Sequence, residues 1–383
     1  MTYLQIQGEI KSLKTNSDKK VICLIVPSLH SGGMERVMSE LANELSGKQD
    51  LTIHLIILSN QPKFYKLADN VIIHEPPFIN KGANKILLSI RLLKYLRGLL
   101  KKINPHSFLS FGAKYNSFVM LASSGLKMNK FLSDRNSPQI NSRLTFKKHS
   151  VYKTGSGFQY ILKHIMYPGA TGIIVQTETA KKIEAERLRH PNIISIPNPI
   201  RKLSPNEEQK EKIILNVGRF VATKQQELLI EIFSKIDHKD WKLVFAGEGP
   251  LLENAKKLVS ELNLENSVEF AGNRTDIDKL YHKSEIFAFT SVSEGFPNAL
   301  AEALSTPLAT IAIDCIAGPS DLIEDGYNGF LIAQNDNEEY RKKLSMLMND
   351  SELREKLKLN SIEKMKNFNF ETIVNTYYKV LTA

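Results

Sequence analysis

The feature that most constrains this chain is a rhythm: short, β-branched apolar runs alternate with longer amphipathic stretches, and the rhythm restarts after a proline-rich break. Val21–Val26, Leu51–Leu58, Ser107–Phe111, Lys130–Leu132 and Gly172–Val175 read as strands, with Glu35–Leu45 and Lys85–Ile103 as helices among them. The alternation resumes over Lys212–Val217, Leu228–Ile236, Trp241–Ala246, Leu251–Leu262, Val268–Phe270 and Ile286–Thr290. Buried runs separated by helices belong to parallel sheets made of βαβ units. A chain of 383 residues also exceeds what one hydrophobic core usually fills. The expected fold class is therefore α/β, with two doubly wound parallel-sheet domains. Ile196-Pro197-Asn198-Pro199-Ile200 breaks any regular element, because each proline fixes φ and removes a donor. The polar stretch Lys202–Lys212 follows, so the linker is expected near 198–210, between a domain over 1–200 and another over 201–369. Doubly wound sheets bind ligands beyond the carboxyl ends of their strands, and two facing each other enclose a cleft.

Charge divides the chain in the same place. Residues 1–200 hold 28 Lys and Arg against 12 Asp and Glu, and the remainder holds 23 against 29. A basic half suggests an anionic partner such as membrane lipid, nucleic acid or a phosphorylated acceptor. A merely solvated Lys-rich surface would carry the same excess. No stretch of about 18 apolar residues could span a bilayer, and the polar, Lys-rich first 20 residues lack the apolar core of a secretory signal. Cys23 and Cys315 cannot form a disulfide framework, which points to a reducing cytoplasm.

The richest segment for chemistry is Thr290–Ala303. A strand ends, a turn through Gly295 and Phe296 follows, and Pro297 is expected to open a helix, where proline is welcome. The amides of Asn298, Ala299 and Leu300 would then be free to face an anion. Glu294 stands before that helix and Glu302 two turns along it. As carboxylates they suit sugar hydroxyls on either side of a diphosphate better than the diphosphate itself. A capped helix with an incidental pair of glutamates would account for the spacing alone.

This segment resembles the paired-glutamate motif of glycosyltransferase family 4, nucleotide-sugar enzymes with the GT-B fold. The likeness continues through Asp314–Ile323 and Asp325–Leu331, and it covers nearly the whole chain. It implies that Glu294 contacts the transferred sugar, Glu302 the ribose, and the intervening amides the diphosphate. It also implies a basic pair after the first strand of the second domain, matched by Gly218, Arg219 and Lys224. Charge grows on the departing phosphate, so fixed cations there would stabilise the transition state more than the ground state. Asn273 and Arg274 are expected at the donor site as well. In the first domain Gly32 and Gly33 resemble the family's glycine loop, with His30 and Ser31 beside it on the acceptor side. Many members carry a histidine where this chain has Arg135, and an arginine cannot serve as a general base. Arg135 could anchor a hydroxyl or an acceptor phosphate instead. A helix at about 370–383 is expected to pack back on the first domain.

Two motifs are read as structural. Asp276-Ile277-Asp278 resembles a metal-binding pattern of another glycosyltransferase architecture, but helix capping and first-turn charge explain it better. Gly247-Glu248-Gly249-Pro250 reads as a turn after a strand, not a dinucleotide fingerprint. No His or Cys cluster has metal-ligand spacing.

The expectation is thus a metal-independent, cofactor-free, retaining glycosyltransferase. It would move a hexose or N-acetylhexosamine from a UDP-sugar to a lipid-linked or oligosaccharide acceptor in bacterial surface-glycan assembly. It would work at the inner face of the cell membrane, with no nucleic-acid partner. The alternatives are a sugar-nucleotide epimerase of the same fold and an inactive nucleotide-sugar-binding scaffold. The basic, leucine-rich stretch Lys85–Ile103, with Arg91, Lys94, Arg97, Lys101 and Lys102 largely on one side, is the expected membrane-docking helix. Lys147, Lys148, Lys153 and Lys163 would extend its patch.

Overall fold

The computed structural model describes residues 19–30, 32–60, 62–78, 84–135, 157–201, 203 and 209–383, and in it the alternation becomes two parallel sheets. The first contains β1 (Lys20–Val26), β2 (Leu51–Ile57), β3 (Ile72–His74), β4 (Ser107–Phe111), β5 (Asn129–Ser133), β6 (Gly172–Val175) and β7 (Ile193–Ser195), ordered 3-2-1-4-5-6-7. The second contains β8 (Ile213–Val217), β9 (Lys242–Ala246), β10 (Val268–Gly272), β11 (Ile286–Phe289), β12 (Ala309–Ile313) and β13 (Phe330–Ile332), ordered 10-9-8-11-12-13. The helices are α1 (Gly33–Ser46), α2 (Lys85–Ile103), α3 (Ala113–Ala122), α4 (Gly157–Met166), α5 (Glu178–Leu188), α6 (Gln226–Ser234) and α7 (Leu252–Glu261). They continue as α8 (Ile277–Lys283), α9 (Asn298–Leu304), α10 (Pro319–Leu322), α11 (Asn337–Asn349), α12 (Ser351–Met365) and α13 (Phe370–Thr382).

Period-two alternation sorts each central strand between two cores. Ile22, Leu24 and Val26 of β1 pack with α1 and with Ile373, Val374, Tyr377 and Leu381 of α13. Cys23 and Ile25 face the other way, onto Leu96 and Leu100 of α2 and Val119 of α3. In the second sheet Ile286 and Ala288 of β11 face α6, α7 and α11. Phe287 and Phe289 face Leu300, Ala303 and Leu304 of α9. The apolar interior is thus four layers, two per sheet, and α13 belongs to the first sheet although it follows the second.

Both sheets reverse their winding next to the central strand, between β1 and β4 and between β8 and β11. Loops leave such a point in opposite directions and open a crevice. At β8–β11 the crevice is braced by Asn216, a buried side chain that donates from Nδ2 to the Ala288 carbonyl at 2.8 Å.

Helix α2 behaves differently along its length. Leu96 and Leu100 are buried and Leu92, Leu93, Leu99 and Ile103 pack around them, so its later turns are an ordinary crossover helix. Ile86, Leu87 and Ile90 in the first turns are exposed. Arg97 departs from the expected cationic face, because its Nη1 donates to the Ala122 and Ser124 carbonyls at 2.9 and 2.7 Å. Among the described residues no helix is long and apolar enough to cross a membrane.

Candidate active site

Arg219 follows β8 directly, and its loop is held by the backbone of a second loop. Phe220 N donates to the Glu248 carbonyl at 2.9 Å, and Leu251 N to the Phe220 carbonyl at 3.2 Å. Gly247 has φ +144, and a Cβ there would lie 2.1 Å from the Gly218 carbonyl oxygen. One on Gly249 would lie 2.4 Å from that of Phe220. The turn Gly247–Gly249 is therefore a cradle under the arginine, a role its sequence pattern did not reveal. The Arg219 side chain is exposed and makes no ion pair among the described residues.

Lys224 comes from the same loop, tied in turn to the end of β11. Thr290 Oγ1 donates to the Lys224 carbonyl at 2.8 Å, and Val292 N to the Thr223 carbonyl at 2.9 Å. This lacing brings the Lys224 ammonium into a close ion pair with Glu294, 5.8 Å from the centre of the Phe289 ring. The two expected functional groups thus meet, and the lysine charge is balanced while that of Arg219 is not.

Beyond Glu294 and Gly295 the chain turns into α9. The structure corrects two details. Pro297 is the residue before the helix, not its first. Asn298 N donates to the Phe296 carbonyl at 3.0 Å, so only the amides of Ala299 and Leu300 have no acceptor among the described residues. The Phe296 and Leu300 side chains are buried in the core beneath α9, since that face must cover the sheet. Gly318, at φ +155, lies so close over Pro297 that a Cβ would come 2.7 Å from its Cδ.

Opposite α9 stands the start of α1. Tyr65 Oη donates to the Gly32 carbonyl at 2.9 Å and accepts from Gly32 N at 3.1 Å, pinning the glycine loop. A Cβ on Gly33 would lie 3.0 Å from Asn298 Nδ2, so the two domains touch here. His30 is exposed, with Nδ1 3.5 Å from Glu35 Oε1. Ser31 lies outside the described residues, as do Lys147, Lys148 and Lys153. Arg36, one turn into α1, makes a close ion pair with Glu302 of α9. The Tyr281 hydroxyl lies 3.2 Å from both the other Glu302 oxygen and the Ala299 carbonyl. Burial, then the Glu302 charge, push the Tyr281 pKa well above its ordinary value. Neither Arg36 nor Tyr281 stands out in the sequence, because each acts through a contact between distant segments.

Arg135 sits at the end of β5, stacked 4.2 Å from the centre of the Phe111 ring. It donates to Asn198 and, at 3.3 Å, to the Tyr377 hydroxyl. Asn198 donates to Asn298 at 2.8 Å, which links β5, the linker and the start of α9. Burial lowers the Arg135 pKa, and Tyr377 partly offsets the effect.

Pairing corrects the readings of Asp276 and Lys163. Asn273 and Arg274 are exposed after the edge strand β10, and Arg274 is engaged by Asp276 at 2.8 and 2.7 Å. Asp276 therefore holds its neighbour rather than capping α8 with its side chain. Asp278 pairs with Arg201 at 2.6 Å. Lys163 is no part of a surface patch: its Nζ lies 2.6 Å from Asp134 and 3.0 Å from Glu184, both buried. Among the described residues no three His, Cys, Asp or Glu side chains are grouped to hold a metal. Burial pushes the Cys315 thiol up to about 12, with Glu294 and Asp314 adding to the rise, so it is not a thiolate nucleophile.

Residues 200–364 match the family model described as glycosyl transferases group 1. The chain is a glycosyltransferase. It is 28% identical to an uncharacterised glycosyltransferase of Haemophilus influenzae, over 95% of this chain and all of that one. It is equally identical to the N-acetylgalactosamine-N,N'-diacetylbacillosaminyl-diphospho-undecaprenol 4-alpha-N-acetylgalactosaminyltransferase of Campylobacter jejuni, over 94% and 98% of the two chains. Among solved structures, Anabaena HepE in complex with UDP and glucose aligns at a TM-score of 0.73 and 16% identity, over 95% of this chain and 99% of that one. The fold of this glycosyltransferase is GT-B.

Proposed function

We propose that this glycosyltransferase is a retaining enzyme of family 4. It transfers a hexose or N-acetylhexosamine from a UDP-sugar to a lipid-linked glycan during assembly of a bacterial surface polysaccharide or glycoconjugate. The observation that carries the reading is the cluster at the ends of β8 and β11, where an unneutralised Arg219 stands in the loop of a Lys224–Glu294 pair. The bond between the anomeric carbon and the terminal phosphate oxygen breaks, and its electron pair stays on the phosphate. Arg219 stabilises that growing charge, with Lys224 beside it. The acceptor hydroxyl attacks from the same face, and its proton passes to the departing phosphate. Glu294 orients the sugar, Glu302 accepts from the ribose, and the amides of Ala299 and Leu300 face the diphosphate. Arg219, and Lys224 once the sugar engages Glu294, supply the positive charge a metal would otherwise bring, so the reaction needs no metal. A UDP complex of the same fold and a relative named for an undecaprenyl-diphosphate substrate support the choice of donor and acceptor.

The test is Arg219→Ala. The arginine side chain makes no hydrogen bond or ion pair among the described residues, so the fold should persist while kcat falls by roughly a hundredfold or more. Unchanged kcat with a raised donor KM would make Arg219 a binding residue only.

The acceptor would be met at an anionic membrane surface. The exposed Ile86, Leu87 and Ile90 of α2 stand near Arg91 and Lys94, also exposed, and Lys101 and Lys102 follow on the same helix. Apolar side chains beside cations suit the interface of an anionic leaflet, where each cation contributes about 1 kcal/mol.

A further inference from the structure

The ion pair between Arg36 and Glu302 joins the first domain to the second across the cleft, on the very carboxylate assigned above to the ribose. One Glu302 oxygen meets the arginine, and the other lies 3.2 Å from the Tyr281 hydroxyl. A ribose diol donates two hydrogen bonds and would have to share that carboxylate or displace a partner. Leaving the displaced partner bare would be costly, because the Arg36 guanidinium is largely withdrawn from water and a charge in such a place needs a counter-charge. An alternative is already in place. Glu40 lies one turn further along α1, its Oε1 3.9 Å from Arg36 Nε, where i and i+4 side chains share a helix face. Glu40 Oε2 is buried and has no hydrogen-bond partner among the described residues. Burial pushes the Glu40 pKa up and the nearby Glu302 charge adds to the rise, while Arg36 and Arg201 only partly oppose it.

We propose that Arg36 is a positioning residue of the donor site that exchanges Glu302 for Glu40 when the ribose arrives. Donor binding then breaks one interdomain tie and makes an intradomain one. The contact of Gly33 with Asn298 lies at the same junction, so the exchange acts where the domains touch. Glu40 lowers the cost of the exchange by receiving the released guanidinium. The proposal rests on the assignment of Glu302 to the ribose.

The experiment uses the full chain and whichever of UDP, GDP and ADP the wild type binds most tightly, measured by titration calorimetry. Arg36→Gln frees Glu302 and should bind the nucleotide about tenfold more tightly, the scale of one charge-assisted hydrogen bond. That gain should vanish with the 2′,3′-dideoxy form of the same nucleotide, which lacks the diol. Glu40→Gln removes the receiving carboxylate and should weaken binding about tenfold, yet be silent in the Arg36→Gln background. Spin labels at Lys182 and Lys257, both exposed, report the interdomain distance, and nucleotide-free Arg36→Gln should match the nucleotide-bound wild type. Unchanged or weaker binding by Arg36→Gln, or additive effects of the two substitutions, would overturn the exchange. Glu302→Gln, made in the Arg36→Gln background so that no interdomain tie is released with it, separates the two layers. If it leaves nucleotide affinity intact, the ribose assignment fails. If it weakens affinity while Arg36→Gln changes nothing, the exchange alone fails.

Discussion

Replacing Lys163 by methionine removes a charge and little volume from the network around the buried Asp134 and Glu184. Lys163 Nζ is shared between Asp134 and Glu184. Without it Asp134 keeps the Tyr167 hydroxyl at 2.6 Å and Asn116 Nδ2 at 2.9 Å, while Glu184 keeps Arg187 at 3.2 Å. Those remaining bonds put the loss at about 3 kcal/mol, the low end for stripping one partner from a buried pair. At about 2–4 °C per kcal/mol, the melting temperature should fall by about 6–12 °C. The pH dependence fixes the sign. Burial alone would raise the Asp134 pKa, but the Lys163 charge and the hydrogen bonds from Lys163, Tyr167 and Asn116 outweigh it and hold it below its ordinary value. In the wild type that stabilisation is complete above pH about 4 and is lost as pH falls through the folded pKa. In Lys163→Met burial is unopposed by the lysine, the Asp134 pKa rises, and protonation relieves the strain on acidification. Thermal unfolding at pH 7.5 and pH 5 should therefore show a large gap that narrows in acid. A shift below about 2 °C at pH 7.5, the size expected of a solvated lysine, would refute the buried network.

Gly247→Val should drive its new side chain into the Gly218 carbonyl and displace Arg219, lowering kcat at least about tenfold in a protein that still binds nucleotide; wild-type kcat would show that the cradle is dispensable. Activity should survive excess EDTA if Arg219 and Lys224 serve the diphosphate as proposed, and loss restored by Mn²⁺ or Mg²⁺ would revive Asp276 and Asp278 as ligands. In liposome flotation the wild type should prefer anionic vesicles at low salt. Ile86→Ser, Leu87→Ser and Ile90→Ser together, or Arg91→Gln, Lys94→Gln and Lys101→Gln together, should each weaken binding; equal binding to neutral vesicles would make α2 purely structural.

The alternation of apolar runs with amphipathic stretches was enough to give two parallel-sheet domains, because both strand burial and helix periodicity are local patterns. Four strands went unmarked: β3, β7 and β13 are three residues long, too short to carry a pattern, whereas β12 is a five-residue run buried on both faces that shows no alternation. Arg219, Lys224, Glu294 and Glu302 were singled out by the resemblance of their segments to glycosyltransferase family 4, and the structure sets Lys224 against Glu294 where the second sheet reverses. What the linear order could not hold were the partners. Lys163 looked like one more surface cation until α4 laid it against Asp134 and Glu184. Gly247 looked like a turn until its backbone came within contact of Gly218. Arg36 was one charge in a helix until the second domain placed Glu302 against it. Composition and periodicity determine which residues must be inside and which elements they build. Which charge meets which depends on distances between segments that only the packed sheets create.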